Sequence, residues 1–392
     1  MIHVPWRYNL RSLLVRRTGT ALSVFSIGLS VGVLVLVLAL ARGFELSLVE
    51  TGTHDNLIVL RKGATSESES GLTRAIYRSL RAESGVALGP DGQPLVSAEL
   101  YAALNLDKTG GGSANFTLRG VMLESFQVRD SARITRGRVF RPGTHEIVIG
   151  RSLVGRIEGG RLGGSLSLQG LEWPVVGILD CGGGAYDSEI WCDVEVFMQE
   201  LNRPVYGVVA LRRAEPSPTS DPKRDPLRQR LEADVRYDAK VFTETEYFRK
   251  QAGVLGDVLL FVAYFIAGIM ATGAAFGTAV TLLSSLAQRS REVGTLLAIG
   301  FLPIEVMLGF LFEALLLGLF GGILGVLLAW PVNGLATGTM NWSTFTEQAF
   351  AFQITQGVIV QAIAFSTFVG VAAGVLPAWR ASRLPPSVAL RD

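Results

Sequence analysis

The sequence predicts an α-helical membrane protein with four transmembrane helices and a mixed α/β extracytoplasmic domain inserted between helices 1 and 2. Three observations carry that fold class. The chain has 392 residues, 49% of them hydrophobic, with 45 glycines and only 18% charged residues. That balance is too apolar and too glycine-rich for an ordinary soluble enzyme of this length. The charges crowd into residues 42–257 and thin out on either side, as expected for a water-soluble domain grafted onto a membrane unit. Finally, four stretches reach the roughly 20 predominantly apolar residues that a bilayer-crossing helix needs. The net charge of +2 is too small to argue for a nucleic-acid partner.

In order along the chain, transmembrane helix 1 is read at 21–43, helix 2 at 254–287, helix 3 at 304–332 and helix 4 at 355–379. The basic head, the apolar run and Ala39-Leu40-Ala41 together imitate a cleaved signal peptide. The run is longer than the usual apolar core of such a signal, so it is read as a retained span. Orientation follows from arginine and lysine beside the spans. Arg7, Arg11, Arg16 and Arg17 precede helix 1, Arg289 and Arg291 lie between helices 2 and 3, and Arg380, Arg383 and Arg391 follow helix 4. The 333–354 loop has neither Lys nor Arg. Both termini and the 288–303 segment are therefore expected in the cytoplasm, and the 44–253 domain and the 333–354 loop outside. Trp330, Trp342 and Phe345 would sit at the outer interface and Trp379 at the inner one.

Within the outside domain, 95–106, 114–122 and 145–150 have the alternation and β-branched content of strands. Residues 165–179 read as two strands around Gln169-Gly170, 189–201 as a strand entering a short helix, and 205–213 as a further strand. Residues 224–235 are helical, with Pro226 in the first turn. The Pro/Ser-rich stretch before them is an exposed connection. From Thr243 a helix is expected to run from the domain directly into helix 2.

No catalytic constellation is found, and an enzyme is not expected. The histidines His3, His54 and His145 are too far apart to suggest a site. His145-Glu146 begins like a zinc-protease motif, but Ile149 stands where its second histidine would be. A phosphate-binding GxxxxGK[ST] loop is absent, and Gly110-Gly111-Gly112 and Gly182-Gly183-Gly184 read as turns. Neither a metal nor another cofactor is expected in this chain. Cys181 and Cys192 both fall in the outside domain, where disulfides persist, so the reading favours a bridge between them over two buried thiols. Their spacing suggests neither a redox motif nor a zinc site.

Each span carries glycines four apart: Gly28/Gly32, Gly273/Gly277, Gly318/Gly322 with Gly321/Gly325, and Gly370/Gly374. Such stripes let helix backbones approach closely, so helix packing is expected there, within one chain or across a dimer. Glu313 is the only acid inside the apolar run from about Val306 to Trp330, and the runs between Arg17 and Arg42, from Val258 to Ala287 and from about Thr355 to Trp379 have none. Without polar lining a solute conduit is disfavoured, because a charge in hydrocarbon costs about 2.5–3.5 kcal/mol even on the lenient insertion scale. From Leu286 to Ile299 the polar residues cluster early and the apolar ones late. Gly300 suits the end of a helix and Pro303 the first turn of the next. A short helix is thus expected to turn sharply into helix 3, as a solvated loop helix or as a docking knob for a cytoplasmic partner.

The segment SREVGTLLAIGFLPIEVMLGFLFEALLLGLFGGILGVLLA resembles the signature of the FtsX/MacB-like ABC-transporter permeases, the mechanotransmission class. The closing PAWRASRLPPSVALRD and the opening WRYNLRSLLVRRTGTALSVFSIGLSVGV are similar to the tail and to the amphipathic entry helix and first span of that family. IVLRKGATSESES and GRVFRPGTHEIVIGRSLVGRI more loosely resemble its extracytoplasmic domain. The resemblance implies an entry helix at 1–20, a cytoplasmic coupling helix at 288–303 and a cytoplasmic tail at 380–392. It implies an ATPase-coupling interface at Arg289, Arg291, Glu292, Val293, Gly294, Leu297 and Gly300, with Glu313 holding helix 3 near that interface. It further implies residence in a bacterial inner membrane and partnership with a second permease copy or homologue. A cytoplasmic ABC ATPase dimer on a separate subunit would bind the ATP and Mg, and the resemblance leaves room for a periplasmic adaptor or lipoprotein. The expected function is a permease subunit that passes ATPase motion to its outer domain. That motion would drive export or extraction of a lipoprotein, peptide, lipid or drug from the outer face of the inner membrane. The alternative is an FtsX-like regulator of an envelope enzyme without transport. Deleting 70–250 separates the two, since only a regulator would leave export intact. A stand-alone receptor is a third class, which a coupling segment disfavours.

Overall fold

The structure, a computed structural model, describes residues 17–49, 51–216, 224–341 and 345–385. The expected entry helix before Arg17, residues 217–223 of the Pro/Ser-rich connection, Trp342 and the tail beyond Pro385 lie outside the described residues. The described residues begin with helix α1 (Arg17–Val49), then β1 (Asn56–Arg61), α2 (Arg74–Arg81), β2 (Val96–Asp107) and β3 (Ser113–Val121). It continues through α3 (Ser125–Val128), β4 (Arg133–Gly137), β5 (Ile147–Gly150), β6 (Ser165–Leu168), β7 (Leu171–Asp180) and β8 (Glu189–Asp193). Next come α4 (Val194–Glu200), β9 (Val208–Arg212), α5 (Pro226–Ala233) and β10 (Ala239–Thr243). Helices α6 (Glu244–Gln288), α7 (Ser290–Ile299) and α8 (Pro303–Ala329) follow, then strands β11 (Ala336–Asn341) and β12 (Thr346–Ala351), and helix α9 (Gln356–Ser382).

These elements form two units. The sheet unit comprises Gly43–Gly256 and Ala336–Ala351; the helical unit takes Asp257–Leu335 and the described residues before Gly43 and after Ala351. In the sheet unit ten strands run in the order β10-β1-β9-β2-β3-β8-β5-β7-β4, with β6 paired to β7. The pairs β3/β8 and β5/β7 are parallel and the rest antiparallel. The strands read from the sequence are present as β2, β3, β5 to β9. Strands β1, β4 and β10 were not among them. Strand β4 lies at the edge of the sheet with Arg133, Thr135 and Arg136 largely turned to solvent, so it lacks the apolar alternation that marks a half-buried strand. The core runs from Leu57 and Val59 through Val96, Phe116 and Leu118 to Ile149, Trp173 and Ile190. Helix α5 starts at Pro226, and the Asp225 side chain accepts the Arg228 N–H as its cap.

The expected Cys181–Cys192 bridge is not formed. Cys192 lies within β8 and Cys181 just past β7, with β5 between the two strands. Two strand spacings are about 9.5 Å, beyond the roughly 7 Å that a disulfide allows between Cα atoms. Register separates them further, because Cys192 faces Ile147, which faces Val175 on β7, six residues before Cys181. Both thiols are buried and free, and Cys192 Sγ donates to the Arg119 carbonyl at 3.8 Å.

Among the described residues four helices, α1, α6, α8 and α9, are long and apolar enough to cross a membrane. Helix α8 carries two glycine stripes and uses both. A Cβ on Gly318 would stand 2.6 Å from the Ser366 carbonyl oxygen, and one on Gly370 would stand 2.6 Å from that of Ala314; Gly322 abuts Ser366 and Gly374 abuts Ala314 in the same α8/α9 seam. On its other side, a Cβ on Gly321 would meet Ile27 at 2.6 Å and one on Gly325 the Gly28 carbonyl at 2.8 Å. Gly28 and Gly32 on α1 face Leu324 and Gly325. Backbones this close require glycine on van der Waals grounds.

Gly273 and Gly277 make no such packing within the chain: among the described residues nothing lies within 4 Å of where their Cβ atoms would be, which leaves contact across a dimer as the remaining expectation. Helix α6 has a second small-residue stripe, Ala263, Ala267 and Ala274, and it is this one that is buried, in a cluster with Ile27, Val31 and Leu34 of α1. Phe261, Phe265, Ile269 and Phe276 point outward.

Candidate functional site

Two arrangements stand out, one at the roots of the long helices in the sheet unit and one around α7 in the helical unit. The first is built from charges placed inside apolar strands. Strand β2 contributes Glu99, β3 contributes Arg119 and β8 contributes Glu189, all buried. Arg119 holds Glu189 with both Nε (2.7 Å) and Nη2 (3.0 Å), while its Nη1 donates to Glu67 at 2.5 Å and Glu99 at 3.0 Å. Arg129, directly after α3, donates from Nη1 and Nη2 to Glu99 and from Nε to Glu244 at 2.9 Å. Tyr186 completes the set: its hydroxyl donates to Glu244 at 2.7 Å, and the Arg129 guanidinium lies 4.7 Å from its ring centre.

Two guanidinium groups thus serve four buried carboxylates. Burial opposes the ionisation of Glu99, but the charges of Arg129 and Arg119 outweigh it and hold that carboxyl below its ordinary value. For Glu67 burial wins, and its pKa is raised.

Glu244 is the first residue of α6, and it ties three segments together. Its Oε1 meets Arg129 and Tyr186, while its Oε2 accepts from the Thr53 N–H at 3.2 Å and Asn56 Nδ2 at 2.9 Å. Thr53 follows α1, so the end of α1 and the start of α6 share one anchor. The crossing is tight: a Cβ on Gly52 would stand 2.6 Å from the Thr245 nitrogen, and Thr245 Oγ1 donates to the Gly52 carbonyl at 3.1 Å. Thr51 Oγ1 closes the last turn of α1 by donating to the Ser47 carbonyl and accepts from the Ala185 N–H.

The 333–354 segment is not a plain loop. Its strands β11 and β12 form a hairpin that belongs to the sheet unit. Thr117 Oγ1 donates to Thr346 Oγ1 at 3.1 Å, and Ser188 Oγ accepts from the Ala349 N–H at 2.9 Å. Glu347 pairs with Lys108 and Arg156. Phe350 meets Phe44 edge to face at 5.5 Å, and Gly43 leaves room for the Ala351 backbone. A cavity of about 30 Å³, lined among others by Glu67, Tyr101, Thr117, Arg119, Glu189 and Thr346, lies between hairpin and network; it has room for about one water molecule.

The second arrangement contains the residues singled out by the sequence. Helix α6 breaks at Arg289, α7 follows, and Gly300 ends it with a φ of +108°, a conformation open to glycine at little cost. Pro303 opens α8, and Glu305 Oε2 accepts the Leu302 N–H at 3.0 Å. Arg289 is buried: its Nε donates to Glu292 at 3.1 Å, and its Nη1 lies 3.6 Å from Glu313 Oε2. Val293 and Gly294 face inward, and Leu297 is half-buried. Val293 clusters with Leu286, Val306 and Phe310, and with Ala378 and Ala381 from the end of α9. Arg291 and Glu292 are exposed. The short helix thus presents a charged outer face and an apolar inner one, with the two carboxy-terminal sequence motifs packed together beneath it.

Sequence reasoning missed the first arrangement entirely. Its members are scattered from Glu67 to Glu244 and form no motif. The available signal was a charge embedded in a continuous apolar strand, Glu99 in VSAELYAAL and Arg119 in ANFTLRGV, because a lone buried charge is rarely tolerated without partners.

The family model described as MacB-like periplasmic core domain matches residues 20–223, about half of the chain, and that described as FtsX-like permease C-terminal matches residues 264–386. The macrolide export ATP-binding/permease protein MacB of Bordetella avium (strain 197N) is 24% identical over 397 residues, covering 97% of this chain and 59% of that protein. The protein of the same description from Syntrophobacter fumaroxidans is 37% identical over 110 residues, 28% of this chain and 14% of that one. The chain spans about three-fifths of the length of the curated relatives that it matches along nearly all of its own. Among solved structures, the periplasmic region of MacB from Actinobacillus actinomycetemcomitans is similar with a TM-score of 0.38 at 13% identity, covering 50% of this chain and 92% of that one.

Proposed function

Since the chain belongs to the family of ABC-transporter permeases that join a MacB-like periplasmic core domain to an FtsX-like permease domain, we propose that it works by transmitting motion rather than by opening a solute path. An ATP-binding partner in the cytoplasm engages the exposed face of α7 at Arg291 and Glu292. The sheet unit stands outside the inner membrane and moves a substrate there for export or extraction. The relatives named for macrolide export point to a small apolar compound, and a lipoprotein, a peptide or a lipid fits the same geometry of action.

The observation that carries this reading is α6. It is one helix of 45 residues, about 68 Å long at 1.5 Å per residue, whereas crossing the roughly 30 Å hydrocarbon core takes about 20 residues. Its first residue is fixed in the buried charge network and its last lies one residue before α7. A continuous helix between the charge network and α7 is the element through which such displacement would pass.

The test is co-purification of the full chain with candidate cytoplasmic ABC ATPases in nanodiscs, comparing wild type with the double charge reversal Arg291→Glu, Glu292→Arg. Recovery of an ATPase by the wild type alone supports the reading. Equal recovery by both would move the docking surface elsewhere, and recovery by neither would remove the permease mechanism.

A further inference from the structure

In the helical unit a crevice of about 390 Å³ opens between the first turns of α1, the last turns of α6 and the first half of α8. Its lining is polar: Thr18, Thr20 and Ser23 from α1, Thr281, Ser284, Ser285 and Gln288 from α6, and Glu313 from α8, with Leu282 and Leu317 among the few apolar members. The Oγ atoms of Ser23 (2% exposed) and Ser285 (5% exposed) are buried and have no hydrogen-bond partner among the described residues. Serines in membrane helices normally bond the carbonyl one turn back, as Thr281 does here to Gly277 at 2.9 Å. Two buried hydroxyls without a partner in the wall of a cavity of ligand size are therefore a chemical feature, because buried polar atoms are otherwise satisfied.

What would satisfy them follows from the lining and the rim. Among the described residues the lining holds one carboxylate, several hydroxyl oxygens, a carboxamide and no lysine or arginine. The rim is apolar and faces outward: Leu22 and Phe25 on α1, Phe276 and Val280 on α6. A ligand that fits both has a hydrogen-bonding cationic head and a hydrocarbon tail. A primary ammonium has three N–H donors and no acceptor, matching Glu313, Ser23 and Ser285.

We infer that this crevice is a binding site for the ammonium headgroup of an aminophospholipid of the phosphatidylethanolamine type, at the ends of the spans next to α7. The lipid would stand against Glu313, the residue that also pairs with Arg289, so its presence bears on how firmly that ion pair is held.

The experiment is native mass spectrometry of the full chain from micelles containing equal amounts of phosphatidylethanolamine, phosphatidylcholine and phosphatidylglycerol with identical acyl chains. Phosphatidylcholine has the charge but no N–H, and phosphatidylglycerol has no ammonium. The expected result is retention of one phosphatidylethanolamine with a preference of about tenfold, the order that one charge-assisted hydrogen bond provides. Glu313→Gln and, separately, Ser23→Ala with Ser285→Ala should each abolish or sharply reduce that preference; the serine pair adds no bulk and keeps the test valid if the glutamate variant does not fold. Dodecylammonium added as competitor separates two sources of the same chemistry. Displacement of the lipid shows that any ammonium amphiphile suffices, and failure to displace shows that the phospholipid headgroup as a whole is read. Equal retention of the three lipids, or a preference unchanged in both variants, would overturn the assignment.

Discussion

Arg129 and Glu244 form a buried ion pair between the loop after α3 and the first residue of α6, with Nε 2.9 Å from Oε1 and both side chains 1% exposed. Removing one partner of such a pair leaves the other charge buried and unpaired, which typically costs about 3–5 kcal/mol. Glu244→Ala is therefore expected to lower the stability of the full chain by that order. Glu244→Gln keeps an acceptor for the Thr53 and Asn56 donors and should cost less. Chemical unfolding in micelles checks both. Equal stability of wild type and the alanine variant would mean that the network does not anchor α6.

Glu67 sets a pH dependence of definite sign. Burial raises its pKa above the ordinary 4.5, so the folded state holds a proton that the unfolded state has already released. Stability from this group is present below pH 4.5 and is lost as pH rises through the folded pKa. Glutamine does not titrate. The melting temperature of Glu67→Gln relative to wild type should thus increase as pH is raised from about 4.5 upward. Thermal unfolding across that range decides it, and a pH-independent difference would mean that Glu67 ionises as freely folded as unfolded.

The glycine stripes separate positions that the sequence presented alike. Gly318→Ala and Gly370→Ala each place a Cβ 2.6 Å from a carbonyl oxygen across the α8/α9 seam, and overpacking of this kind costs about 1–3 kcal/mol. Gly273→Ala and Gly277→Ala meet nothing within 4 Å among the described residues and should leave the fold of the single chain within about 0.5 kcal/mol of wild type. Thermal stability of the four variants in detergent is the measurement. A loss at Gly273 or Gly277 confined to samples at high protein concentration would place a second copy against α6.

These contrasts show what was legible in the sequence. Length and apolarity alone located α1, α6, α8 and α9, and alternation located β2, β3 and β5 to β9, because those signals come from burial on one face or on all. Which of two small-residue stripes on α6 packs inward was not legible, since spacing is the same for Gly273/Gly277 and Ala263/Ala267. Hairpin β11–β12 was missed because ATGTMN and TEQAFA gain strand character from partners on β3 and from Phe44, not from their own composition. The charge network was invisible for a related reason: its seven residues are scattered from Glu67 to Glu244, four of them on the separate elements β2, β3, β8 and α6, and only folding brings them within hydrogen-bond distance.

Cys181 and Cys192 give a direct chemical check on the sheet topology. Burial raises the pKa of each thiol, which suppresses the reactive thiolate, and β5 keeps them apart. Both should remain unmodified by a maleimide reagent on the native chain and take up two labels after denaturation without reductant. A single mass shift corresponding to an intramolecular bridge would contradict the order β8-β5-β7.

Arg289 and Glu313 differ from Arg291 and Glu292 in the work they are expected to do, and the difference is measurable. The first two are buried 3.6 Å apart, whereas the second two face outward. Arg289→Ala and Glu313→Ala should each destabilise, and the double variant should cost less than the sum, with a coupling energy of about 0.5–3 kcal/mol for groups in contact. Arg291→Glu, which leaves the contact between Arg289 and Glu292 in place, should change stability by no more than about 0.5 kcal/mol while abolishing recovery of an ATP-binding partner. Unfolding in micelles reports the first property and co-purification the second. If Arg291→Glu proves as costly to fold as loss of the inner pair, α7 is a structural brace and the partner docks elsewhere; if the inner pair shows no coupling, Glu313 does not hold α8 to the α6–α7 turn.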